Sequence, residues 1–491
     1  MSSVDVVGER SVSQPVSDRV WRIETHGIDP IPDSDRHGTP SELFWIWCAA
    51  NIAILGVAYG GYLVTFYGLD LWQGVLAAGL GTVGSFLLVG FISLAGTVGG
   101  APTLVLSRAA FGVRGNALPT LVSWLALVGW EIILVALSTL SAEAILGRIG
   151  VGSGDAVTAV SFALIAIVTI AIGLLGHATI VRIQTWFTYA FAVLTVGFMA
   201  LEVSHVDWHE VARLPSAGLT GFLGGLSIVM AGLGIGWVNA AADYSRYLPR
   251  SSSPGAVVWW TTFGASVAPV ILIVFGVFVA AGNPQLATSV NPIAVLAKDL
   301  PTWFLVPYLL TAVGGLVAGA LLDIYSSGLN LLTLGLRIPR YQSVAIDGAL
   351  MLAGNIYILF SARDFFTPFQ GFLITLGVLL AAWSAIFLVD LWRHRMREGY
   401  AEAELYDPAG RYGSFNAAGV TAFLVAGFVG LGLVKSTAAV FSWAGYLLRF
   451  AGGDSGVIAG SSLGLLIAFL VAGALYAILD AALPGPGPVR S

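Results

Sequence analysis

The chain is 491 residues long, 57% hydrophobic and only 10% charged, against roughly 25% charged in an ordinary soluble domain. That deficit excludes a soluble enzyme, and a net charge of −5 without a basic stripe excludes nucleic acid as a partner. One cysteine, Cys48, allows neither a disulfide framework nor a cysteine metal site.

Residues 1–41 are polar, contain no continuous apolar segment of the signal-peptide kind, and read as a mobile cytoplasmic tail. The tail ends in GIDPIPDSDRHGTPSELFW, rich in Pro and Asp, where Thr39-Pro40-Ser41-Glu42 is placed to cap a first helix. A bilayer span needs about 20 mostly apolar residues. Twelve stretches qualify, at 42–67, 71–96, 119–147, 155–176, 181–202, 219–242, 255–282, 303–328, 343–361, 365–390, 416–436 and 456–480, the eleventh with an alternative end through 438–448. Residues 42–202 and 203–390 are then two groups of five spans. Residues 391–415 form a cytoplasmic loop, 416–480 two additional helices, and 481–491, ending LPGPGPVRS, a disordered cytoplasmic tail. With both ends inside, sixteen of the 22 Lys and Arg fall on the cytoplasmic side, as retention of positive charge in short cytoplasmic loops demands.

The sixth span carries Gly232, Gly234 and Gly236 immediately before Trp237. Each glycine weakens a helix by roughly 1 kcal/mol relative to alanine, so the run predicts unwinding at mid-membrane, which is tolerated only beside a cavity or other protein. The first span has Gly56, Gly60 and Gly61 in its second half. A repeat after five spans makes these two helices equivalent in halves of opposite topology, the arrangement that places a substrate at the bilayer midplane. The alternative is that the glycines serve only close helix packing.

An ionisable side chain at mid-membrane costs at least roughly 2.5–3.5 kcal/mol on insertion scales. Glu131, in the third span, and Asp323, deep in the eighth, are the two that need a reason; Glu143, Glu202, Asp243, Asp390 and Asp480 lie nearer span ends. Both deep acids are candidates to accept a substrate N–H or to carry a proton, with a structural hydrogen-bond network as the alternative. Trp130 and Trp237 are positioned to stack on a flat ring, whereas Trp45, Trp47, Trp72, Trp208, Trp259 and Trp260 lie near span ends and read as interfacial anchors. Asn51 offers a further polar contact, to substrate or to a neighbouring helix. Asp243 and Arg246, three apart in DYSRYLP, read as a local pair that locks the end of the sixth span. No GxxxxGK[ST], HExxH or nucleophile elbow is present, so nothing in the chain supports a nucleotide, metal or other cofactor.

GIDPIPDSDRHGTPSELFWIWCAAN, RAAFGVRGNALP, the GW at 129–130, GWVNAAADYSRYLP and DIYSSGLN together resemble the nucleobase:cation symporters, the permeases for cytosine/purines, uracil, thiamine and allantoin, and within them the purine–cytosine branch. The resemblance runs over about 27–435 and implies an all-α membrane protein with twelve helices, a ten-helix inverted-repeat core of the leucine-transporter type, and proton- or sodium-coupled uptake by alternating access. It implies that Trp130 and Trp237, with Gly236, stack on substrate and that Asp323 stands where relatives place a hydrogen-bonding amide. Leu134 stands where relatives commonly carry Gln or Asn, with Glu131 on roughly the same face. Sodium-coupled relatives use hydroxyls near the positions of Val317 and Ala318, which cannot ligate a cation through their side chains.

The expectation is a plasma-membrane importer of a nucleobase, cytosine or a purine, by proton symport, with sodium kept as the alternative ion and lipid as its surroundings. The binding residues expected are Asn51, Trp130, Glu131, Gly236, Trp237 and Asp323, with Glu131 or Asp323 carrying the proton. Gly56, Gly60, Gly232, Gly234, Asp243 and Arg246 are expected in gating or structure. Alternatives are another heterocycle (hydantoin, allantoin, uracil or a vitamin ring), a receptor or channel, and a membrane-embedded enzyme.

Overall fold

The computed structural model describes residues 20–24, 26–361, 366–436 and 439–483. Among them every regular element is helical, as a low-charge chain must be where water cannot satisfy an open sheet edge. Ten helices are long and apolar enough to cross a bilayer. They are Leu71–Gly99, Ala117–Arg148, Asp155–Leu175, His177–His205, Leu219–Ser245, Pro254–Gly282, Thr302–Thr333, Arg340–Phe360, Gly371–Glu398 and Gly464–Ala482. The first predicted span is a bent pair, Glu42–Asn51 and Leu55–Thr65, at 58°. The eleventh is the shorter Ala417–Gly432. Chain order therefore places a helix at each of the twelve predicted spans. The predicted extension through 438–448 does not form: the described residues there make short 3₁₀ turns, Ala439–Phe441 and Leu448–Phe450.

Packing sorts the spans into three groups. Span seven lies along spans one and two, and the end of span six along span two; span three lies along span eight, with spans four, five and nine around them; spans ten, eleven and twelve pack on one another. Trp72, Trp208, Trp259 and Trp303 are exposed near helix ends, where indoles favour a membrane interface. Trp47 is not one of these anchors. Its side chain is fully buried and meets Trp237 edge-on, ring centroids 5.6 Å apart.

Local chemistry sets the helix boundaries. Asp70 accepts from the Gln73 amide at 2.8 Å while the Gln73 side chain accepts from the Asp70 N–H at 3.3 Å, a reciprocal cap for span two. Within the Thr39–Glu42 segment expected to cap span one, the carboxylate makes the contact: Glu42 Oε1 accepts from the Thr39 N–H at 3.1 Å, and Ser41 makes no cap bond.

The two broken spans differ in how they break. In span six the helix ends at Gly232, Leu233 leaves it at φ −120°, ψ −106°, and helix resumes at Gly234. In span one the break is at residues 52–54, before the glycines rather than at them. Gly56 and Gly60 instead face span seven, where a Cβ on Gly60 would stand 2.3 Å from the Ile273 carbonyl oxygen. Close packing is thus their role, and a Gly60→Ala variant is expected to lose about 1–3 kcal/mol through overpacking. Heating the detergent-purified variant and following the monodisperse fraction by size exclusion checks this, with a melting point equal to wild type as the contrary result.

The N-terminal segment also departs from expectation. Residues 1–19 and 25 lie outside the described set, but Glu24, Ile31 and Arg36 are buried, so this part of the predicted mobile tail is packed. Arg36 Nη1 donates to the Thr97 carbonyl at 2.7 Å and Arg250 Nε to Asp33 Oδ1 at 2.8 Å, tying the segment to the end of span two and to the loop after span six. The Arg250 guanidinium holds the Asp33 carboxyl below the usual carboxylate range. Nearly all of the predicted C-terminal tail, 484–491, lies outside the described residues.

Candidate substrate-binding site

The two helix breaks face spans three and eight across a narrow cavity of about 60 Å³. Five of the six predicted binding residues line it: Asn51, Trp130, Gly236, Trp237 and Asp323. Gly56 and Gly232 also reach its wall, as does Leu134, which leaves that part of span three apolar. Gly60, Gly234, Asp243 and Arg246 do not.

Each wall residue is held by its neighbours. Trp237 rests edge-on against Trp47, which rests edge-on against Tyr244, again with centroids 5.6 Å apart. Trp130 leans over Gly236, where a Cβ would come within 3.2 Å of its indole nitrogen. Gly236 therefore lets the two aromatic walls approach, while Gly234 fits against the backbone of Ser85 and Phe86 in span two. Asn51 Nδ2 donates to the Trp47 carbonyl at 2.8 Å, turning its amide oxygen over to other partners. Asp323 is buried, and its Oδ2 has no hydrogen-bond partner among the described residues. An acceptor of this kind in a largely apolar cavity is suited to an N–H group arriving with a ligand.

Glu131 is placed differently from the expectation. It contributes nothing to the cavity wall and points into the span three–span eight interface, where Ser327 Oγ donates to its Oε1 at 2.6 Å.

Asp243 and Arg246 do not form the expected local lock. Asp243 Oδ1 accepts from the Thr103 N–H at 2.7 Å and hydroxyl at 2.8 Å. Arg246 reaches instead to the N-terminal segment, donating from Nη2 to Glu24 Oε1 at 3.0 Å and to Tyr325 Oη at 2.9 Å. Glu24 also accepts from Tyr247 Oη at 2.6 Å and the His177 N–H at 2.9 Å, and lies 3.7 Å from Arg340 Nε. One carboxylate so connects spans five, six, eight and nine, with its side chain 1% exposed and that of Arg246 0%. Sequence reasoning missed Glu24 and Trp47; the signal for Glu24 was two arginines, Arg246 and Arg340, in need of a buried counter-ion.

Among the described residues, ten span-length helices, a bent pair and a shorter apolar helix, with two of the spans broken beside a cavity with aromatic walls, define a membrane transporter rather than an enzyme. A sequence model of the permeases for cytosine/purines, uracil, thiamine and allantoin matches residues 30–453, and the chain belongs to that family. It is 28% identical over 420 residues to the putative purine-cytosine permease YxlA of Bacillus subtilis, covering 82% of this chain and 86% of that one. It is 25% identical over 483 residues to the purine-cytosine permease FCY2 of Saccharomyces cerevisiae, covering 91% and 84%. Among solved structures it is similar to Mhp1, a nucleobase-cation-symport-1 family transporter, closed with bromovinylhydantoin bound, with a TM-score of 0.72 at 17% identity over 93% of this chain and 96% of that one. A Na⁺-coupled sialic acid symporter follows at 0.61 and 11%, covering 93% and 92%. The fold is that of leucine-transporter-type carriers.

Proposed function

We propose that the protein imports a nucleobase, cytosine or a purine, across the plasma membrane by proton symport, with the face that carries Glu24 and Arg246 turned to the cytoplasm. The observation that carries this reading is the cavity, where Trp130 and Trp237 form aromatic walls and the buried carboxylate of Asp323 belongs to the lining. A base stacks on the indoles and gives an N–H of its edge to Asp323, and a buried carboxyl, Asp323 or Glu131, carries the coupling proton. The bundle of spans one, two, six and seven then rocks against the remainder, exposing the cavity to each side in turn. The similarity to purine–cytosine permeases supports the substrate class. A hydantoin-type ring is the second reading, favoured by the ligand bound in Mhp1.

Protons are favoured over sodium by the contacts between spans one, five and eight. Cys48, Ala49, Ile52, Phe191 and Ala318 fill that space with apolar side chains, and the Ala318 carbonyl already accepts from Gln184 Nε2 at 2.8 Å. A hard cation needs several oxygens there.

Proteoliposomes test the reading with radiolabelled cytosine and adenine. An inside-alkaline gradient without sodium is expected to drive accumulation approaching about 10-fold per pH unit for one proton per base. Accumulation that follows an imposed sodium gradient at equal pH overturns proton coupling, and uptake of neither base overturns the substrate class.

A further inference from the structure

Behind the cavity wall lies a second carboxyl group that the sequence reading passed over. Asp347, in span nine, is fully buried, and Trp124 Nε1 donates to its Oδ1 at 2.9 Å. Ser327 Oγ donates to Glu131 Oε1 at 2.6 Å and lies 3.3 Å from the Ile324 carbonyl, and its hydroxyl also bears electrostatically on Asp347 without a hydrogen bond to it in this conformation. Glu131 Oε2 and Asp347 Oδ2 are both buried without a hydrogen-bond partner. No Lys, Arg or His forms an ion pair with either carboxyl among the described residues.

The charges around the pair are few. Asp347 and, less strongly, Asp323 act on Glu131. Span nine packs on spans three, four and eight; span four's one acid, Asp155, sits at its exposed start, and Arg340, at the start of span nine, is engaged with Glu24 and the carbonyls of Gly173 and Leu174. Span ten, packed on span three, has its Asp390 paired with Arg395 at 2.9 Å. Two adjacent carboxyls without a counter-ion in a dry interior cannot both be ionised, so the pair retains a proton.

We propose that Glu131, Ser327 and Asp347 form the proton-carrying site of this transporter, separate from the substrate cavity, with Asp347 its cytoplasmic member. The inference rests on the proton-symport reading. A hydroxyl donates one hydrogen and accepts others, so the Ser327 hydroxyl turns from Glu131 towards Asp347, protonated Glu131 gives its proton to Ser327 Oγ, and the Ser327 hydrogen passes to ionised Asp347. Glu131 ends ionised, Asp347 protonated and Ser327 unchanged. The direction follows from position. Glu131 adjoins Trp130, a residue of the cavity wall, whereas Asp347 is seven residues, about 10 Å of helix, from Arg340 in the Glu24 cluster. Asp323, one turn before Ser327 on span eight, is left free to accept from substrate throughout the cycle.

The test uses the full chain in proteoliposomes with the base that the wild type takes up, comparing D347N, E131Q and S327A with wild type. Two readouts are taken: accumulation under a pH gradient, and exchange of labelled for unlabelled base with no gradient, which needs no net proton movement. Each variant is expected to lose at least 10-fold in accumulation but less than 3-fold in exchange, with no substrate-induced proton entry detected by a trapped pH dye. Wild-type-like accumulation by D347N overturns the proposal, and so does an equal loss in both readouts, which marks Asp347 as structural. If D347N is not recovered folded, S327A decides by the same criteria. A wild type indifferent to the pH gradient overturns the symport reading itself, a result distinct from either variant outcome.

Discussion

Trp237→Ala is expected to weaken equilibrium binding of the transported base by about 5- to 150-fold, the equivalent of the roughly 1–3 kcal/mol that one stacked aromatic contributes per base. The effect should be at the upper end because the ring is held before the ligand arrives. Trp237 is only 9% exposed, Trp47 abuts its edge, and Tyr244 abuts Trp47 in turn while donating from Oη to the Leu322 carbonyl at 2.7 Å. A preorganised wall spends little binding free energy on ordering itself. Trp237→Phe retains a π-face and should lose less. Binding of labelled base to purified protein measures both, and unchanged affinity in the alanine variant would remove Trp237 from the site.

Glu24→Ala should produce the second large effect, on gating rather than on binding. Removing one member of a buried ion pair costs about 3–5 kcal/mol because the remaining charge is left uncompensated, and here Arg246 and Arg340 both lose a partner. In the proposed orientation, with this cluster turned to the cytoplasm, the cost falls on the conformation in which the Glu24 contacts are made, so the population shifts towards one in which they are broken. The chain's single cysteine makes a direct measurement simple. In a Cys48→Ala background, Ser326→Cys places a thiol next to Tyr325, a partner of Glu24, and Glu24→Ala should raise its maleimide labelling from the side that the Glu24 cluster faces at least 10-fold while lowering accumulation. Equal labelling with and without Glu24 sinks the latch.

Hydropathy made the spans legible because a bilayer imposes one length and one polarity on every crossing, and the described helices fall where the apolar runs do. The break in span six was legible because glycine cannot hold a helix well. Span one shows the limit of that signal. Its chain leaves the helix at Ile52 and Ala53, where Gly315 of span eight presses against Ala53 and the Ile52 carbonyl, so tertiary contact sets the break and the nearby glycines serve another helix. The cavity walls at Trp130, Trp237 and Asp323 could be read because aromatic and acidic residues are conspicuous inside apolar segments. Facing could not be read, and Glu131, one residue from Trp130, turns away from the cavity. Asp347 obeyed the same rule that singled out Glu131 but sat near a predicted span end, where an acid is easily assigned to water. Glu24 was hidden more deeply, because its partners are 222 residues and more away and no local pattern marks a polar segment that will be buried.

The N-terminal latch also has a timetable. Tyr325, one of the groups that Glu24 accepts from, is made 301 residues after it, which at roughly 5–20 residues per second is about 15–60 s of synthesis. Throughout that interval Glu24 lacks part of its set of partners. The cluster around Glu24 is therefore completed only late in synthesis, and an unfinished chain can be told from a finished one by the accessibility of Glu24.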